Sequence, residues 1–129
     1  MLIVDDEKQI LGLLSRIIGL EGYEVLQADT CKAALKQMEK HTPEVVLCDV
    51  FLPDGSGVEL VAALKEKCPL SEIILLTAHG NIPDGVKAIK NGAFDYITKG
   101  DDNPKILPLV ARAMEKALAA YGETKRGKT

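Results

Sequence analysis

Apolar residues in this chain come in short unbroken runs that each stop at a polar residue, and between the runs they recur at three- and four-residue steps. The first run, Leu2-Ile3-Val4, ends abruptly in Asp5-Asp6-Glu7, as does a buried strand whose carboxyl end opens into a polar loop. Ile10, Leu13, Leu14, Ile17 and Ile18 then fall on one helical face, with Gly22 as the stop. Tyr23-Glu24-Val25-Leu26 reads as a second strand. A helix capped by Asp29 or Thr30 follows, with Ala34, Leu35 and Met38 inward and Pro43 closing the unit.

Val45-Val46-Leu47-Cys48 repeats the opening pattern and ends in Asp49, ahead of the turn-rich Leu52-Pro53-Asp54-Gly55-Ser56-Gly57. Val58, Val61 and Leu64 predict a third helix, and Ile73-Ile74-Leu75-Leu76 a fourth strand stopping at Thr77. Val86 and Ile89 predict a short helix ended by Asn91-Gly92. Phe94-Asp95-Tyr96-Ile97 is the fifth strand, with Lys99 just beyond it. The last helix buries Ile106, Val110, Ala113, Met114 and Ala117, and Pro108 is expected in its first turn, where a missing N–H costs nothing.

Strands alternating with helices in this way predict an α/β domain with a doubly wound parallel sheet of five strands, order 2-1-3-4-5, and five helices on its two faces. Ligands of such sheets bind beyond the carboxyl ends of the strands, where the strand order reverses. Here that point lies between the first and third strands and brings Asp5, Asp6 and Asp49 together. Two carboxylates about 5 Å apart repel by about 3 kcal/mol at an effective dielectric near 20, which a divalent cation would offset. Magnesium favours such hard oxygen donors and completes its shell with water and phosphate oxygens, so the cluster predicts a Mg²⁺ site. A carboxylate can also attack phosphorus, and the hydroxyl of Thr77 and ammonium of Lys99 lie on the same rim, in reach of phosphoryl oxygens.

The overall charge narrows the partners. The chain has 129 residues, enough for one domain with a real core, and carries 16 Lys and Arg against 19 Asp and Glu, a formal net charge of −3. It has no dense basic stripe, so contact with DNA is expected only through another domain. Cys31, Cys48 and Cys68 are odd in number and form no C-x-x-C pair, which fits idle thiols in a reducing cytoplasm. With no apolar run near the roughly 18 residues that span a bilayer, no membrane role is expected and a cytoplasmic location is. His41 and His79 have no partner ligand at metal-binding spacing. The tail 122–129 fits G-x-x-x-x-G-K-T to the letter, but it follows a helix rather than a strand, and residues 121–129 are read as a flexible linker or tail.

Taken in order, Val4-Asp5-Asp6-Glu7, Asp49-Val50-Phe51-Leu52-Pro53-Asp54-Gly55, Thr77-Ala78-His79-Gly80 and Gly92 to Lys99 resemble the motifs of the response-regulator receiver family, over about residues 1–118 of a domain placed at 1–120. The resemblance implies a flavodoxin-like fold and a domain that accepts phosphoryl from a sensor histidine kinase while remaining no enzyme toward a separate substrate. It implies Asp49 as phosphoacceptor, and Asp5, Asp6, Asp49 and the Phe51 backbone carbonyl as Mg²⁺ ligands. Thr77, Ala78, Phe51 and Lys99 become phosphoryl-site residues, and Thr77 with Tyr96 the switch. Phe51 and His79 match positions that tune phosphate lifetime. The run 77–82 is similar to receivers of sigma-54-dependent transcription activators, implying an output domain after about Ala120 and a homodimer through the fourth and fifth helix face.

One departure stands out: the family usually follows its lysine with proline in a cis peptide, whereas here Gly100 follows Lys99. Two other chemistries fit less well. A haloacid-dehalogenase-type phosphatase needs D-x-D, and Asp49-Val50-Phe51 lacks the second carboxylate; a flavin module needs a first loop rich in Ser, Thr and Gly rather than Asp5-Asp6-Glu7.

Overall fold

The computed structural model describes residues 1–77, 82–99 and 103–127. In chain order the elements are β1 (Leu2–Val4), α1 (Lys8–Leu20), β2 (Leu26–Ala28), α2 (Cys31–His41), β3 (Val45–Asp49), β4 (Phe51–Leu52), β5 (Gly55–Ser56), α3 (Gly57–Lys67), β6 (Glu72–Thr77), α4 (Ile82–Lys90), β7 (Asp95–Thr98) and α5 (Asn103–Gly127). Five strands pair in parallel in the order β2-β1-β3-β6-β7, the predicted 2-1-3-4-5 once the small antiparallel β4–β5 hairpin is set aside.

Successive strand residues point to opposite faces, and the sequence supplies apolar side chains to both. Leu2, Val4, Val46, Cys48, Ile73 and Leu75 face α2, α3 and α4, where they meet Ala34, Met38, Val61, Leu64 and Ala88. Ile3, Val45, Leu47, Ile74, Leu76 and Ile97 face α1 and α5, packing on Leu14, Ile18, Ile106, Leu109, Val110 and Ala113. With both faces covered, polar side chains gather at the strand ends.

Local signals explain several boundaries. Thr30, not Asp29, caps α2, its hydroxyl accepting the Ala33 N–H at 2.9 Å. Ser56 does the same for Val58 at 3.2 Å to open α3. Gly22 and Gly92 take positive φ just past α1 and α4, where a side chain would be strained.

The structure departs from the sequence reading in several places. The second strand starts at Leu26 and runs to Ala28, because only there does the chain pair with β1; residues 23–25 precede it. The β4–β5 hairpin was not expected. On α1 the apolar face is centred on Leu14 and Ile18, and Leu13 is left exposed. In α4 the apolar residues that marked the helix, Val86 and Ile89, face solvent, while Gly85 and Ala88 face the sheet, where Gly85 lies too close to the Tyr96 ring for a side chain. Pro108 lies inside α5, beyond the first turn that Asn103 and Pro104 open, so its ring removes one bond to the Pro104 carbonyl. The α5 backbone continues as helix to Gly127, into the stretch read as a tail.

Candidate functional site

The carboxyl ends of β1, β3, β6 and β7 converge at the switch point. Asp5, one residue past β1, is fully buried; its Oδ1 accepts the Glu7 N–H at 2.9 Å and so fixes the entry to α1. Its Oδ2 is buried and, among the described residues, is met by the Lys99 ammonium at 3.0 Å. Asp6 is exposed beside it. Asp49 closes β3, is 6 % exposed, and lies 3.1 Å from the same Lys99 Nζ. Lys99 therefore bridges two carboxylates, with Glu7 at 3.9 Å on the solvent side.

Electrostatics follow from this crowding. Burial, then the charge of Asp5, push the Asp49 carboxyl up to about 6, although Lys99 pulls the other way. Burial also works against the Lys99 ammonium, but its bond to Asp5 and the charge of Asp49 outweigh that and hold its pKa above the ordinary value. Among the described residues one ammonium meets these carboxylates, which leaves negative charge to spare. Ligand oxygens of Asp5, Asp6 and Asp49 lie within 4.8 Å of one another, a cluster of hard donors that suits a divalent metal.

The other predicted residues fall around this centre. Thr77 ends β6 and is buried, with its hydroxyl donating to the Ile97 carbonyl at 3.2 Å, so in this arrangement it is turned towards β7. The Lys99 N–H bonds the Thr77 carbonyl at 2.8 Å and ties the two strand ends. Tyr96, in β7, is half-buried with its ring over Gly85 of α4. Phe51 begins β4 with its side chain exposed. Ala78, His79 and Gly100 lie outside the described residues; no described peptide bond is cis.

Sequence reading passed over three residues here. Gly57 runs so close to β3 that a Cβ on it would overlap the Asp49 carbonyl, and its N–H bonds the Val50 carbonyl at 2.6 Å. Gly85 leaves room for the Tyr96 ring, and Asp54 reaches across to α2. Each was visible only as a glycine or aspartate in a helix start or turn, where such residues are common for other reasons.

A model of the response regulator receiver domain matches residues 1–113, and the chain belongs to that family. It is a receiver domain of the two-component response-regulator type. It is 35% identical over 113 residues to the response regulator protein PilR of Pseudomonas aeruginosa, covering 88% of this chain and 25% of that protein. It is 34% identical over 124 residues to the DNA-binding transcriptional regulator NtrC of Proteus hauseri, covering 96% of this chain and 25% of that one. The chain thus spans about a quarter of the length of these curated relatives. Among solved structures, the receiver domain of NtrX from Brucella abortus superposes with a TM-score of 0.83 at 32% identity, covering 88% of this chain and 97% of that one. The beryllofluoride-activated NtrC4 receiver domain dimer gives 0.83 at 37% identity, covering 90% and 96%. No helix among the described residues is long and apolar enough to cross a membrane.

Proposed function

We propose that this receiver domain is a phospho-accepting switch in which a carboxylate oxygen of Asp49 takes the phosphoryl group from a phosphohistidine of a sensor histidine kinase. The P–N bond breaks as the O–P bond forms, and the departing imidazole keeps the nitrogen's electron pair. The observation that carries this reading is Lys99, held 3.0 Å from Asp5 and 3.1 Å from Asp49 at the switch point of the sheet.

Asp5, Asp6, Asp49 and the Phe51 carbonyl would hold Mg²⁺, which supplies charge neutralisation for the crowded carboxylates and the transferring oxygens. The Lys99 ammonium then exchanges part of its contact with Asp5 and Asp49 for a phosphoryl oxygen, and the Ala78 N–H with the Thr77 hydroxyl would engage another. For Thr77 this means leaving the Ile97 carbonyl, to which it now donates at 3.2 Å. Vacating that place favours an inward turn of Tyr96, and the surface around α4, β7 and α5 changes with it.

The domain would catalyse only its own phosphorylation and slow dephosphorylation, in the cytoplasm. Its readers would be an output domain that contacts DNA, or a second copy through the α4 and α5 face. The dimeric state of the beryllofluoride-activated NtrC4 receiver supports the latter by analogy.

Intact mass after incubation with acetyl phosphate, with and without Mg²⁺, tests the reading on wild type and Asp49→Asn. A metal-dependent gain of one phosphoryl group, absent in the variant, is expected. A folded wild type that gains none, beside a receiver that does, would overturn it.

A further inference from the structure

Asp54 makes a long-range contact that the phosphoryl chemistry leaves unused. Its Oδ1 accepts the backbone N–H of Cys31 at 2.7 Å and its Oδ2 that of Lys32 at 3.0 Å, both in the first turn of α2. Thr30 takes the next N–H, that of Ala33, at 2.9 Å. Together the two side chains satisfy donors that the start of a helix cannot satisfy within itself. A carboxylate there also meets the positive end of the helix dipole, and the Cys31 and Lys32 N–H groups hold the Asp54 carboxyl below its ordinary pKa.

Asp54 lies in the turn of the β4–β5 hairpin, in which Phe51 pairs with Ser56 and Leu52 with Gly55. The far end of that loop is fastened where Gly57 donates to the Val50 carbonyl and Ser56 caps α3. The turn end is fastened to α2. There Gly55 passes so near that a Cβ would stand 3.2 Å from the Cys31 sulfur. Phe51 cannot hold itself in place, because its side chain is 67 % exposed. The position of its backbone depends on the hairpin.

We propose that Asp54 is a positioning residue: by docking the β4–β5 turn on the amino end of α2, it holds the Phe51 carbonyl and the segment after Asp49 where Mg²⁺ binding needs them. The inference rests on the metal-binding reading given above. It predicts that metal affinity is tuned from α2, an element with no residue of its own among the proposed ligands.

Calorimetric titration of Mg²⁺ into wild type, Asp54→Ala, Asp54→Asn and Thr30→Ala tests it, with Tm and the acetyl phosphate mass gain followed on the same samples. Asp54→Ala should weaken Mg²⁺ binding on the order of tenfold, the low end for losing a group that orients a metal ligand. Asp54→Asn keeps one carbonyl acceptor and should lose less. Thr30→Ala removes a cap from the same helix without touching the hairpin, so its Tm should fall while its Mg²⁺ affinity stays at the wild-type value. Wild-type affinity in Asp54→Ala would overturn the proposal, and so would an equal loss in Thr30→Ala, which would make the integrity of α2 the cause. If Asp54→Ala does not fold, unchanged affinity in Asp54→Asn is the overturning result. A wild type that binds no Mg²⁺ and takes no phosphoryl group defeats the underlying reading instead, and is told apart because the unaltered chain fails.

Discussion

Asp49 is held, almost fully buried, beside a second carboxylate, where its ionised form is disfavoured. Its carboxyl is raised from 3.8 to about 6, first by burial and then by Asp5. A carboxyl whose folded pKa is raised contributes stability that is fully present below its unfolded value and is lost as pH rises through the folded one. At neutral pH the ionised Asp49 therefore destabilises the fold. Asp49→Asn should raise Tm above pH 6, by an amount equivalent to about 1–3 kcal/mol, and give no gain near pH 4; thermal melts across that range check it. Lys99 is the counterweight. Lys99→Ala should push the titration of Asp49 further upward, read by NMR of its carboxyl carbon. An Asp49 that titrates as in wild type would show that Lys99 is only a neighbour.

Among the elements, what the sequence made legible depended on size and length. Runs such as Val45–Asp49 and Glu72–Thr77 could be read because buried parallel strands are uniformly apolar and end in a polar residue. The β4–β5 hairpin could not, since two-residue strands carry no period. The acidic centre was legible because Asp5, Asp49, Thr77 and Lys99 each stand at a strand end, whereas Asp54 and Gly57 act through the backbone of other elements.

Helix α4 misled for a different reason, because its inner face is made of Gly85 and Ala88, which a search for large apolar residues overlooks. That choice has a purpose in packing. Ring atoms of Tyr96 stand 2.5 to 2.6 Å from where a Cβ at position 85 would be, so any side chain there must displace the ring. Gly85→Val should destabilise the domain by about 1–3 kcal/mol through overpacking. It should also shift the Tyr96 ring signals in NMR spectra. Much of that penalty should vanish in a Tyr96→Ala background, and additive losses in the double variant would show that the two do not touch in solution.

Across the whole molecule, the two edges of the sheet are charged in opposite spirit. At the amino edge the buried Glu72 is met by Lys65 at 3.6 Å and Lys116 at 3.4 Å, and Lys116 also lies over the Phe94 ring. That carboxylate is well answered. At the carboxyl edge Asp5 and Asp49 share Lys99, with the Asp6 carboxylate beside them. Among the described residues this end keeps an excess of negative charge, and a cation bound there would stabilise the folded state by mass action. At ten times its Kd, Mg²⁺ should add about 1.4 kcal/mol, or roughly 5 °C in Tm for a domain of this size. The gain should shrink as pH falls through about 6, where Asp49 takes up a proton. It should be lost in Asp5→Asn. Sodium chloride at equal ionic strength separates a site from simple screening: the same rise in Tm with sodium, or an undiminished Mg²⁺ effect in Asp5→Asn, would mean that the acidic edge holds no specific metal.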